Sequence, residues 1–262
     1  MPLAEGYIKL ISKAEEFFEN VKTSNFLSQK KEIPLPYAYS CNNYMDSILS
    51  NTVVRKSLQA FTDKYCTKQI ENIKSIGILV TKNNCPRCYD ALQSCYKSLN
   101  IDNLPDVYLY SRLKGINALS VGTDNSPIIL VSPKAVMQLT EGELKFILGH
   151  ELGHIAQKKL ECQTAKGILD NLNNKSEILG SIVSDILEVP LNQWYRCNEY
   201  TADRAGLICA GDIKYAESIF KKIGLTKASS SILDDYYELD SMHPTIRKRF
   251  DELSKFYKHY FA

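Results

Sequence analysis

The string His150-Glu151-Leu152-Gly153-His154 constrains this chain more than any other five residues in it. Two imidazoles four positions apart on a helix stand on one face, so both can reach a single metal ion. Glu151 sits about 100° round that helix, as ~3.6 residues per turn requires. From there its carboxylate can reach a water in the metal's open position and act as general base. The flanks support a helix. Thr140 is an N-cap residue with Glu143 three positions on, which is a capping box. Leu144, Leu148, Leu152 and Ile155 form an apolar stripe, with His150 and His154 on the opposite face. Gly149 and Gly153 each cost about 1 kcal/mol in a helix interior, so tertiary packing has to hold this helix.

Zinc needs at least one more protein ligand. The extended pattern with Gly at 157 and His at 160 is absent, because Gln157 and Leu160 stand there. Downstream glutamates remain as candidates: Glu161, Glu177, Glu188 and Glu199. Glu199 and Asp203, in Asn198-Glu199-Tyr200-Thr201-Ala202-Asp203-Arg204-Ala205-Gly206, share one helical face. One carboxylate can ligate zinc while the other takes the free ring N–H of a ligand histidine. The competing reading is a solvated acidic face neutralised by Arg196 and Arg204.

The 262 residues have room for one large domain, or for a catalytic domain with a small extension. Hydrophobic residues at 44% and charged residues at 24% suit a globular protein with a buried core. A formal net charge of +2 makes no demand for nucleic acid or an anionic membrane. The longest uncharged run, Ile33 to Met45, has 13 residues and is broken by Pro34 and Pro36. A transmembrane helix needs ~20 mostly apolar residues, so none is expected, although peripheral membrane association would leave no such trace. Glu5, Lys9, Lys13, Glu15 and Glu16 interrupt any secretory h-region. Eight cysteines without an export signal point to reduced thiols and a cytoplasmic location.

Residues 4–22 have helical apolar spacing, 32–43 read as a loop around a Pro-x-Pro segment, and 44–74 favour helix again. The expected organisation is a helical N-terminal extension over 1–74 and a second domain over 75–262. Ile76–Thr81, Asp106–Tyr110, Ala118–Gly122 and Pro127–Val131 read as strands. Helices are expected at Pro86–Leu99, after Thr140, and at 176–188, 195–209, 213–223 and 244–258. Helices, a small sheet, then helices make an α+β fold.

Several motifs then fall in one order: Asn117-Ala118, IILVSPKAVMQL, ELKFILGHELGHI, NEYTADRAGL, and His243-Pro244 with Arg249. Over roughly residues 90–262 the chain resembles the HtpX-type and CAAX-prenyl-protease family of zinc endopeptidases. The resemblance implies a mostly helical zincin-like (minigluzincin) domain with a small sheet beside the H-E-x-x-H helix. It implies one Zn2+ per chain, held by His150, His154 and Glu199, with Asp203 supporting a ligand and Glu151 as general base. It implies that His243, which stabilises the transition state, and Arg249 of the same motif are catalytic residues alongside Glu151. It implies a protein or peptide substrate laid along an exposed strand edge, with Asn117, Ala118 and Ser120 as binding residues. The transmembrane helices of the integral members are missing, and residues 1–74 match no part of the family.

An alternative function is a catalytically weak quality-control module that holds unfolded polypeptide in the same groove. The intact Glu151 argues against it, because a pure binder has no need of that carboxylate. Cys85-Pro86-Arg87-Cys88 invites a redox or metal reading, but no second C-x-x-C exists and Cys95 is seven residues on. A structural role is the expectation there, as it is for His259.

Overall fold

The computed structural model describes residues 35–40, 67, 70–101, 104–158, 160, 180–224 and 244–261, with side chains left aside for 180–193 and 224. Strand β1 (Ile78–Leu79) is followed by helix α1 (Pro86–Leu99), and strand β2 (Asp106–Leu109) by the hairpin of β3 (Ala118–Thr123) and β4 (Ser126–Val131). Helices α2 (Pro133–Gln138), α3 (Glu141–Ala156), α4 (Gly180–Ala210), α5 (Ile213–Gly224) and α6 (Ile246–Tyr260) complete the described chain. The fold is α+β and mostly helical, with a small mixed sheet.

The sheet order is β1-β2-β4-β3. β2 runs parallel to β4, and β1 and β3 are antiparallel to their neighbours. β4 is apolar without alternation because both of its faces are covered. Ile129 and Val131 enter the main core, while Ile128 and Leu130 pack with Tyr108, Ile70 and Ile73 on the other face. β3 is the edge strand nearest α3. Pro127 of β4 faces Gly122 and has no N–H, so that pair makes no ladder bond. By alternation, Ser120 opposite Ile129 and Ala118 opposite Val131 also turn their N–H and C=O away from β4.

Helix α3 lies at the centre. Its capping box is formed as its sequence predicts: the Thr140 side chain accepts from the Glu143 amide, and the Glu143 carboxylate accepts from the Thr140 amide at 2.7 Å. Leu144, Leu148 and Leu152 are fully buried, and so in effect is Phe146 on another face. A helix buried all round is held by its neighbours rather than by an amphipathic stripe. The two glycines show how close the neighbours come. A Cβ at Gly149 would meet Cys209 Sγ at 2.6 Å, and one at Gly153 would meet Ala202 Cα and Ala205 Cβ at 2.8 Å. The glycines let α3 and α4 cross almost backbone to backbone.

Three expectations need correction. The helices expected at 176–188 and 195–209 are one helix, α4, whose backbone continues through Pro190. A short helix, α2, was not foreseen, although Ser132-Pro133 is an N-cap followed by proline at the first helical position. Arg87 donates to the carbonyls of Val136 and Leu139 at its C-terminal end. Helix α6 starts two residues later than the expected 244 and runs on to Tyr260, with Thr245 as N-cap. The helix expected over 4–22, and most of 44–74, lie outside the described residues.

Candidate metal centre

Helix α3 supplies His150, Glu151 and His154, and α4 supplies Glu199 and Asp203. The close crossing at Gly149 and Gly153 brings the two sets together. The Nε2 atoms of His150 and His154 are 3.1 Å apart. Glu199 Oε1 lies 3.3 Å from His154 Nε2, and Glu199 Oε2 lies 3.8 Å from His150 Nε2. Tetrahedral zinc with bonds of about 2.0–2.2 Å separates neighbouring ligand atoms by roughly 3.3–3.5 Å. The three side chains fit such an ion in donor type and spacing. Among the described residues they are the one His/Cys/Asp/Glu group gathered closely enough to hold a metal. The other downstream glutamates considered above lie outside the described residues or side chains.

Asp203 and Arg249 stand behind this group. Asp203 Oδ1 is 3.0 Å from His150 Nδ1, which fixes the ring and leaves Nε2 as the lone-pair nitrogen. Arg249 of α6 grips both oxygens of Asp203, Nε to Oδ2 at 2.8 Å and Nη2 to Oδ1 at 2.6 Å. Its remaining Nη1 lies 3.2 Å from Glu199 Oε2. Asp203 is 1% exposed. Burial pushes its carboxyl upward, but the guanidinium and the His150 ring outweigh this and hold it below the ordinary value. Burial lowers the His154 imidazole, yet Glu199 and then Glu151 bring its pKa above the ordinary value. A concentrated negative field therefore surrounds the two ring nitrogens.

Glu151 points toward the sheet instead of joining the ligand group. Its Oε2 accepts a 2.7 Å hydrogen bond from the Ser120 amide, one of the edge groups that β3 turns away from β4. The expected base and the expected substrate strand are thus in direct contact. Ala118 lies on the same edge. The main chain of Asn117 is engaged differently: its amide donates to Ser132 Oγ at 3.2 Å and its carbonyl accepts from the Ser132 amide at 2.9 Å. His243 lies outside the described residues. The Ser120 amide on Glu151 had no sequence signal beforehand, and the motif that marked Arg249 did not say which carboxylates it would hold.

Among the described residues the cysteines do not form a second centre. Cys85 stands at the N-cap of α1 without a side-chain capping hydrogen bond, and Cys88 is fully buried. Burial and the neighbouring Cys85 push the Cys88 thiol up to about 12, the opposite of an activated nucleophile. Cys197 is disulfide-bonded, so the expectation of thiols throughout does not hold for it.

Comparison with known proteins matches this picture. The model of peptidase family M48 matches residues 86–256, more than half of the chain, and the chain belongs to that family. Similar proteins include the plastoglobule-localized metallopeptidase 48, chloroplastic, of Arabidopsis thaliana, 32% identical over 60% of this chain and 46% of that protein. HtpX protease homologues of Helicobacter acinonychis and Helicobacter pylori are 24% and 25% identical over 53% of this chain and 57% of theirs. The chain spans about half the length of these relatives. No helix among the described residues is long and apolar enough to cross a membrane.

Proposed function

We propose that this member of peptidase family M48 is a zinc-dependent endopeptidase that hydrolyses peptide bonds of protein substrates. The observation that carries the reading is the convergence of His150 Nε2, His154 Nε2 and Glu199 on one point, with Glu151 beside them and pointing elsewhere. When bound, zinc supplies Lewis acidity, which polarises the scissile carbonyl and brings the pKa of water towards ~7. Glu151 takes the proton of the attacking water. Asp203 keeps the His150 ring oriented, and Arg249 keeps Asp203 ionised and holds both Asp203 and Glu199 in place. We assign Arg249 this positioning role because its guanidinium is spent on two carboxylates.

The substrate lies extended along β3, where Ala118 and the Ser120 carbonyl offer outward main-chain groups, and the Ser120 amide joins them once Glu151 turns to the attacking water. Asn117 would act through its exposed side chain, since its main chain is paired with Ser132. His243 is proposed as the oxyanion donor on the His-Pro motif alone. The domain division is likewise a proposal, with 75–262 as the peptidase domain and 1–74 as an extension of it. A cytoplasmic location is part of the same proposal; the chloroplast name of the Arabidopsis relative belongs to that protein.

The decisive experiment combines metal analysis with peptide hydrolysis. The purified protein should carry close to one zinc per chain. Glu151→Gln should keep the metal and lose hydrolysis, because this carboxylate is no ligand. A Gln variant that cleaves like the wild type would overturn the mechanism.

A further inference from the structure

Residues 35–40 lie outside the stretch that matches the family, yet they are seated on the two helices that build the back of the metal centre. The Tyr39 amide donates to Thr201 Oγ1 at 3.0 Å. Arg204 Nη1 donates to the carbonyl of Ala38 at 2.9 Å and approaches that of Tyr37 at 3.4 Å. The Tyr39 ring lies 4.8 Å from the Tyr200 ring. The Arg204 guanidinium sits between two aromatic faces, 4.8 Å from the Tyr39 ring and 4.7 Å from the Phe256 ring of α6. Burial and then the nearby Glu252 carboxylate of α6 raise the Tyr39 phenol. Tyr37 is 4% exposed, and its hydroxyl has no hydrogen-bond partner among the described residues. Burying that oxygen unpaired costs roughly 1–3 kcal/mol, which the seating of the segment has to offset.

The contacts fall on one short stretch of α4, under two turns long. Tyr200, Thr201 and Arg204 meet the segment, and Glu199 and Asp203 of the same stretch meet the histidines and Arg249. On α6, Arg249 reaches the carboxylates and Phe256, two turns on, receives Arg204. The two helices are therefore joined twice, on the inside by Arg249 and on the outside by Arg204 under Tyr39. A carboxylate about 6 Å from a helix axis moves roughly 1 Å when the helix turns by about 10°. A functional constellation tolerates only about 0.5 Å.

We propose that residues 37–39 are a clasp that fixes the rotation of α4 against α6 and so positions Asp203 and Glu199 for the metal. Tyr39 and Arg204 are positioning residues that act through Asp203. The proposal rests on the zinc reading given above and adds a dependence on a segment outside the family match.

The test is zinc affinity of the full chain, measured by chelator competition, with thermal unfolding of the metal-free protein in parallel. Tyr39→Ala and Arg204→Ala should each weaken zinc about 10-fold or more, the lower end for a lost supporting contact. They should lower kcat with little change in KM. Tyr39→Phe keeps the ring over Arg204 and should stay within about twofold of wild type. The losses in Tyr39→Ala and Asp203→Asn should fall short of multiplying in the double variant, because both act through one carboxylate. A purely structural segment would lower the melting temperature and leave zinc affinity unmoved, and that result overturns the clasp. Losses that multiply in the double variant overturn it too. Should Tyr39→Ala not fold, Tyr39→Leu, which keeps most of the volume, decides by the same criteria. A wild-type chain that binds no zinc would overturn the metal reading and the clasp with it. A zinc-loaded wild type with indifferent clasp variants would overturn the clasp alone.

Discussion

Asp203 has two tasks that pull in the same direction. It must remain ionised to orient His150, and it must neutralise Arg249 in a site where water has little access. Removing the carboxylate outright would leave a largely buried guanidinium with Glu199 as its remaining ion-pair partner among the described residues, and breaking a buried pair in this way typically costs 3–5 kcal/mol. Asp203→Asn is the gentler probe, since it keeps the shape and presents an amide where an acceptor is needed. We expect it to weaken zinc about 10–100-fold. Glu199→Ala, which removes a ligand, should weaken it more, and Glu188→Ala should not weaken it. Chelator competition on the three variants checks the order, and a larger effect at Glu188 than at Glu199 would sink the ligand assignment. The residues of this site were legible because their chemistry is local: H-E-x-x-H and E-x-x-x-D each declare a helical face. The Arg249 partnership was not, because it spans 46 residues and nothing in the local text specifies it. The Ser120 amide escaped for another reason, since a main-chain donor has no side-chain signature.

At the scale of elements, the α3–α4 crossing decides whether the site exists at all. The sequence flagged Gly149 and Gly153 as costly to the helix, and the structure shows what they permit. Gly153→Ala would gain about 1 kcal/mol of helix propensity. Against this, the new Cβ would lie 2.8 Å from Ala202 Cα, a backbone atom that cannot turn aside. Overpacking of this kind costs about 1–3 kcal/mol, and relief requires α4 to move away with Glu199 and Asp203 on it. The variant should therefore melt lower and bind zinc more weakly. A Gly153→Ala protein that is more stable and keeps its zinc affinity would show that the crossing is not tight. The strands and most helices were legible from proline and glycine punctuation, with α1 matching its expected bounds. The continuity of α4 was not. A proline inside a helix costs ~3 kcal/mol locally, and local text cannot show the tertiary packing that offsets it.

Across the whole molecule, one buried carboxylate links the metal helix to the C-terminal half. Glu143 closes the capping box of α3, and its side chain also accepts from Ser218 at 2.5 Å and from Lys222 at 2.6 Å, both on α5. It is 2% exposed. Burial alone would raise its pKa, but Lys222, Ser218 and Thr140 outweigh that and bring it from 4.5 down to about 2. A carboxyl whose folded pKa is depressed stabilises the fold above its unfolded value, and the contribution is lost as pH falls through the folded value. The window here runs from about pH 4.5 down to about pH 2. At 1.36 kcal/mol per pKa unit, the full contribution is on the order of 3 kcal/mol. The metal-free protein is the right material, because zinc release at acid pH would otherwise add its own slope. Denaturant unfolding at pH 6 and at pH 3 should show the wild type losing stability between them. Glu143→Gln should begin less stable at pH 6 and lose distinctly less on acidification. Asp203 contributes to both proteins alike, so the difference between them isolates Glu143. If the two proteins lose equal stability between pH 6 and pH 3, the Glu143–Lys222 pair does not couple α3 to α5 in solution.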